Sequence, residues 1–137
     1  MNRLTRTAAL AAALMATCLL APGTTAHAAS GGAAGADWLS LTVTRPGTTG
    51  GGTRAALLLC DPPQGHPKAA EACAELGAVD GDFGRLGDSG TICSLIYAPV
   101  TAHAHGRWND RRIDHERTYA NECELRAGTG AVFALDG

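Results

Sequence analysis

Pro99-Val100-Thr101-Ala102-His103-Ala104-His105-Gly106-Arg107-Trp108-Asn109-Asp110-Arg111 is the stretch whose reading decides the fold. Val100, Ala102 and Ala104 alternate with Thr101, His103 and His105. That period of two places one set on a buried face of a strand and the other on a wet face. Asn109-Asp110 is a turn signal. Arg111 to Tyr119 alternates again, and its charge suits a return strand with one face in water.

Working outward, Leu39, Leu41 and Val43 alternate with Ser40, Thr42 and Thr44, which predicts a half-buried strand starting near Trp38. Residues 47–53 form a flexible connection. Arg54 to Cys60 is a continuous apolar run, short enough for a second, antiparallel strand. Asp61-Pro62-Pro63 stops it, and Pro67 opens a helix to about Leu76 with Ala69, Cys73 and Leu76 on one face and Gly77 as its stop. Residues 77–90, dense in Gly and Asp, read as an irregular loop anchored by Phe83 and Leu86. A helical turn through Asn121 to Arg126 and a last strand over Ala131 to Leu135 complete an α+β domain. The expected architecture is a five-stranded antiparallel sheet with one or two helices on one face.

Arg3 and Arg6, an apolar run from Ala8 to Ala21, and the small-x-small triplet Ala26-His27-Ala28 have the form of a secretory signal cleaved after Ala28. The apolar run is too short to span a bilayer stably. Residues 1–28 are therefore expected to be removed, residues 29–37 to form a flexible tail, and residues 38–137 to form one small domain. The formal charge of −2 becomes −4 after cleavage, because Arg3 and Arg6 leave and no acidic residue does. That balance argues against nucleic acid or an anionic membrane as partner.

Cys18 leaves with the signal, and Cys60, Cys73, Cys93 and Cys123 remain in a chain bound for an oxidising compartment. Two disulfides follow, and the sequence leaves three connectivities open. Nearest-neighbour pairing is the simplest. It would close loops worth roughly 3 and 4 kcal/mol in the chain-entropy account.

Ile92-Cys93-Ser94-Leu95-Ile96-Tyr97-Ala98-Pro99 is the segment that points to function. Glycine-rich sequence precedes it, a cysteine tethers it and a proline stiffens its end. Consecutive large apolar residues in such a setting read as an exposed bait loop with little freedom left to lose on binding. A buried strand is the competing reading of the same pattern.

Enzymatic readings find little support. Neither Gly-x-Ser-x-Gly nor His-Glu-x-x-His occurs, and Ser30, Ser40, Ser89 and Ser94 lie in no catalytic motif. His103 and His105 share a strand face and His115 lies on the paired strand, but solvated strand histidines outweigh a metal site, so no metal or cofactor is expected. A disulfide-stapled structural or adhesive module is the alternative to a bait-loop protein.

Leu59-Cys60, Gly65-His66-Pro67 with Ala69-Ala70, Ala72-Cys73-Ala74-Glu75-Leu76, Cys93 to Pro99, Trp108, Glu116-Arg117-Thr118, Asn121-Glu122-Cys123 and Val132-Phe133 together resemble the Streptomyces subtilisin inhibitor-like family. Each piece is weak alone; the ordered set is specific. The resemblance implies a secreted serine protease inhibitor with a five-stranded antiparallel sheet, a homodimer through that sheet, and disulfides Cys60–Cys73 and Cys93–Cys123. It places the scissile bond between Leu95 and Ile96, with Leu95 as the primary specificity residue and Cys93 two residues ahead. Asn121 is expected to brace the loop through its side chain. The sequence departs from the family pattern at Ser94, where Pro or Thr is usual, and at His105-Gly106, where Asp-Gly is common.

Overall fold

A computed structural model describes residues 35–47, 52–87 and 90–137. The expected signal over residues 1–28, the tail up to residue 34 and most of the 47–53 connection lie outside the described residues. The elements are β1 (Trp38–Arg45), β2 (Gly52–Cys60), β3 (Pro63–Gln64), α1 (Ala69–Ala78), a 3-10 turn (Phe83–Arg85), β4 (Val100–Trp108), β5 (Arg111–Tyr119) and α2 (Glu122–Thr129). The five strands form one antiparallel sheet in the order β3-β2-β1-β4-β5.

The alternation read from the sequence sets the two faces. Leu39, Leu41, Val43, Leu58, Val100, Ala102 and Ala104 are all buried on one side. Register sets Leu41 opposite Ala104 and Val43 opposite Ala102, so large side chains of β1 alternate with small ones of β4. Both helices cover that face, α1 against β2 and β3, α2 against β4 and β5. Ala72 and Leu76 of α1 and Leu125 of α2 fill the space between. The opposite face carries Ser40, Thr42, Thr101, His103 and His105 and stays half-buried or exposed.

One expectation is corrected. Ala131 to Leu135 is not a strand. Ala131, Val132 and Phe133 are buried in succession, whereas a strand with one wet face would bury only alternate residues. The segment instead closes local turns, Val132 N–H to Thr129 O and Ala134 N–H to Ala131 O, and its Phe133 ring lies 6.0 Å from Phe83. The fifth strand is the two-residue β3, where Pro63 pairs with Cys60 and Gln64 with Leu59. Asp61-Pro62-Pro63 ends β2 at Cys60, as expected, and also reverses the chain into β3, where proline is tolerated at a sheet edge because a missing N–H leaves no ladder bond unmade.

Smaller shifts follow the same logic. The expected turn over Asn121 to Arg126 continues as α2 to Thr129, so the domain has two helices. Helix α1 starts at Ala69 and carries Gly77 inside it, ending at Ala78. Within the glycine-rich loop, Phe83 is buried and Leu86 packs partly on the core.

Gly106 occupies β4 because nothing larger fits. Its φ is +156°, and a Cβ would collide with the carbonyl of Trp38 on the neighbouring strand. Gly106→Ala is expected to cost at least about 2 kcal/mol, read as a lower denaturant midpoint at unchanged m-value.

His66 ties the β3–α1 connection to the 131–135 segment. Its Nδ1 accepts from Lys68 N–H at 2.9 Å, which leaves Nε2 as the donor to Val132 O at 3.0 Å. Burial holds this imidazole below its ordinary 6.5, against the hydrogen bond to Val132 and with the charge of Lys68. Burial also depresses His115, aided by Arg117 and His103. Below pH 6.5 the unfolded chain binds protons that the folded one resists, so stability should fall as pH drops through the imidazole range. Denaturant midpoints measured from pH 7.5 to 5 should decline for the wild type and less steeply for His66→Gln.

Candidate functional site

Between the 3-10 turn and β4 the chain runs through residues 91–99 without regular structure. Ile92, Leu95, Ile96 and Tyr97 are 95%, 100%, 68% and 78% exposed, and the only other large exposed hydrophobic residue among those described is Leu57. A buried strand is thereby excluded. Apolar side chains held in water cost free energy in isolation, so their clustering on one loop marks a contact surface.

Three attachments keep this loop from collapsing. Cys93 is bonded to Cys123 in α2, and Cys60 to Cys73 in α1. The Ala98 N–H donates to Ala120 O at 2.8 Å, just before β4 begins. The third is Asn121. Its Nδ2 donates to the Ser94 carbonyl at 3.0 Å and to the Ile96 carbonyl at 2.9 Å, the two that flank Leu95. Its Oδ1 accepts from Glu124 N–H at 3.0 Å, capping α2. Two carbonyls on one side and an N–H on the other fix which way the amide points.

Carbonyls two residues apart share a side in extended chain, so binding those of Ser94 and Ile96 turns Leu95 outward. Among the described residues none hydrogen-bonds to Leu95. The loop thus offers Leu95, its most exposed apolar side chain, and the peptide bond that follows to solvent, while the backbone on both sides is held.

Asn121 is buried, which the sequence alone does not say, but its place before an acidic turn marks it as a cap. Glu124 reinforces the turn by accepting from Ala120 N–H at 3.3 Å. Sequence reasoning missed Arg45 and Glu122. Arg45, the last residue of β1, places Nη2 3.1 Å from Glu122 Oε1. Partial burial pushes the Glu122 carboxyl up, but hydrogen bonds and charges from Arg45 and Arg126 outweigh it and hold the group below its usual range.

The three strand histidines do not converge. His103 and His105 stack on the outer face with centroids 5.4 Å apart, and His103 Nε2 lies 3.0 Å from Asp114 Oδ1. That hydrogen bond holds Asp114 below the usual carboxylate range. His115 pairs with Ala104 of the buried set and stacks on Phe83 at 4.9 Å, on the other side of the sheet.

The subtilisin inhibitor-like family model matches residues 35–121. The chain belongs to this family. A Streptomyces avermitilis protein provisionally named a serine protease inhibitor is 46% identical over 129 residues, covering 94% of this chain and 88% of that one. Subtilisin inhibitor-like protein 5 of Streptomyces fradiae is 44% identical over 102 residues, 71% of this chain and 95% of that one. Among solved structures, Streptomyces caespitosus sermetstatin in complex with Bacillus licheniformis subtilisin aligns with a TM-score of 0.54 and 29% identity. That match covers 74% of this chain and 96% of sermetstatin. The two sequence relatives are named as inhibitors, not enzymes.

Asn121 joins helix cap and loop in one side chain, and two substitutions separate these roles. Asn121→Ala should lose about 1–3 kcal/mol by denaturant titration. Asn121→Asp keeps the cap acceptor but sets a carboxylate oxygen against the two loop carbonyls, so hydrogen exchange at Ala98 N–H should accelerate while the first turn of α2 keeps its protection.

Proposed function

We propose that this chain is a secreted, substrate-like inhibitor of subtilisin-type serine proteases, with Leu95–Ile96 as the scissile bond. The observation that carries the reading is the full exposure of Leu95 between two carbonyls bound by one buried amide. A branched apolar side chain suits the hydrophobic primary pocket of subtilisin-like and chymotrypsin-like enzymes and offers no charge for a pocket aspartate. The complex of sermetstatin with subtilisin supports the same partner class.

Inhibition follows from what holds the two sides of that bond. Upstream, the Cys93 disulfide and the Asn121–Ser94 bond fix the acyl side. Downstream, the Asn121–Ile96 bond and the Ala98–Ala120 bond fix the amine side. When the protease serine attacks the Leu95 carbonyl, the new amine of Ile96 cannot diffuse away. Religation then competes as an intramolecular step with high effective molarity, and hydrolysis gains little entropy. Because the loop is already ordered, binding also loses little conformational freedom.

The signal-like features of residues 1–28 and the two disulfides support export, with the domain acting outside the cell. No helix among the described residues is long and apolar enough to cross a membrane. The outer sheet face, where Trp38, Leu57 and Leu59 lie among Ser and Thr, supports a homodimer formed face to face.

Titrating subtilisin with the oxidised protein should abolish activity at a stoichiometric end point, and reducing the disulfides should abolish inhibition. No inhibition of subtilisin or chymotrypsin at micromolar protein would overturn the reading. Leu95→Lys should weaken subtilisin binding by roughly thirtyfold or more and confer trypsin inhibition, measured as paired inhibition constants. Unchanged selectivity would remove Leu95 from the specificity position.

A further inference from the structure

Asn121 and Cys123 can hold the loop only as firmly as they are themselves held. Both sit at the start of α2, a helix of eight residues that would be marginal on its own. Between them stands Glu122. Its carboxylate receives Arg45 at 3.1 Å and Arg126 at 2.9 Å. The Arg45 Nη2 also lies 3.2 Å from Asp136 Oδ2, and Arg54 Nε lies 2.6 Å from Asp136 Oδ1. One guanidinium at the end of β1 therefore links α2 to the segment after Phe133, and Arg54 links that segment to β2.

Arg45 itself, rather than Arg54 or Arg126, is what separates this cluster from ordinary surface pairs. The Arg45 side chain is 19% exposed, against 54% and 65% for the Arg111–Asp80 pair. Partly desolvated, charge-assisted contacts hold geometry better than pairs in water. Arg45 and Glu122 also line a cleft with Pro46, Tyr97, Ala98 and Pro99, so the pair abuts the downstream arm of the loop.

We infer that Arg45 is a positioning residue for inhibition: by bridging Glu122 and Asp136 it fixes the first turn of α2 against the sheet, and so sets how closely both sides of Leu95–Ile96 are held. This rests on the inhibitory reading above. Arg45 need not touch the protease. Its effect is on how fast the bound loop is lost to hydrolysis, because a loosened helix start lets the cleaved ends part before they religate.

The test follows cleavage of Leu95–Ile96 by stoichiometric subtilisin, using mass spectrometry, alongside the denaturant midpoint of each variant. Wild type, Arg45→Met, Arg45→Lys, Glu122→Gln and Asp80→Asn are compared, the last removing an exposed ion pair elsewhere. Arg45→Met and Glu122→Gln should raise the cleavage rate roughly ten- to hundredfold, Arg45→Lys should fall between them and wild type, and Asp80→Asn should leave it unchanged. If Arg45→Met does not fold, Glu122→Gln and Arg45→Lys decide. Unchanged cleavage in the folded Arg45 and Glu122 variants, with wild-type inhibition intact, overturns the inference. So does acceleration that merely tracks lost stability across all variants, Asp80→Asn included. Failure of the wild type to inhibit overturns the inhibitory reading itself and is seen before any variant is compared.

Discussion

The side-chain amide of Asn121 is the interaction on which the exposed loop depends. It spends its oxygen on the Glu124 N–H in the first turn of α2 and both of its protons on loop carbonyls, so helix start and loop shape are set by one group. An amide in that position must be buried to be rigid, and once buried it must be fully bonded, because an unmet polar group there would cost more than the bonds contribute. The arrangement is therefore close to all-or-none. A loop that merely lay on the surface could be displaced by water, whereas this one is held by a buried donor.

The sheet makes that burial available. Small residues at 102 and 104 in β4 let the covering layer approach, while Leu39, Leu41 and Val43 supply the bulk from β1. Leu125 anchors the far side of α2 to this layer, and the Cys93–Cys123 bond crosses from loop to helix near its exposed end. Apolar burial holds the helix down, the disulfide limits how far the loop can leave, and the amide chooses the conformation within that limit. In a domain this small, none of the three would suffice alone.

Much of this was legible in the residues. Alternation at 38–45 and 100–108 announced both strands, because one face of each meets the core and the other meets water. The cluster Leu95, Ile96, Tyr97 was legible as a loop only through its company of cysteine, glycine and proline. What failed was Ala131 to Leu135: a short apolar run after glycine has the composition of a strand, and only the packing around Phe133 reveals a core plug. β3 could not be seen either, since a two-residue pairing beside Pro62 and Pro63 leaves no periodicity to read. The ion pairs of Arg45 were invisible for a different reason. They join residues far apart in sequence, and nothing local distinguishes an arginine that bridges from one that is solvated.

The hydrogen-bond braces grip backbone, not side chains. Asn121 binds the carbonyls of residues 94 and 96, and these exist whatever amino acids stand there. Ser94, Leu95, Ile96 and Tyr97 point their side chains into water and contribute almost nothing to the core. Natural variation at these positions is thus nearly free of folding consequences, while variation at 93, 121 and 123 is not. A lineage carrying this scaffold can drift through many loop sequences, keeping pace with changing proteases, without ever passing through an unfolded ancestor.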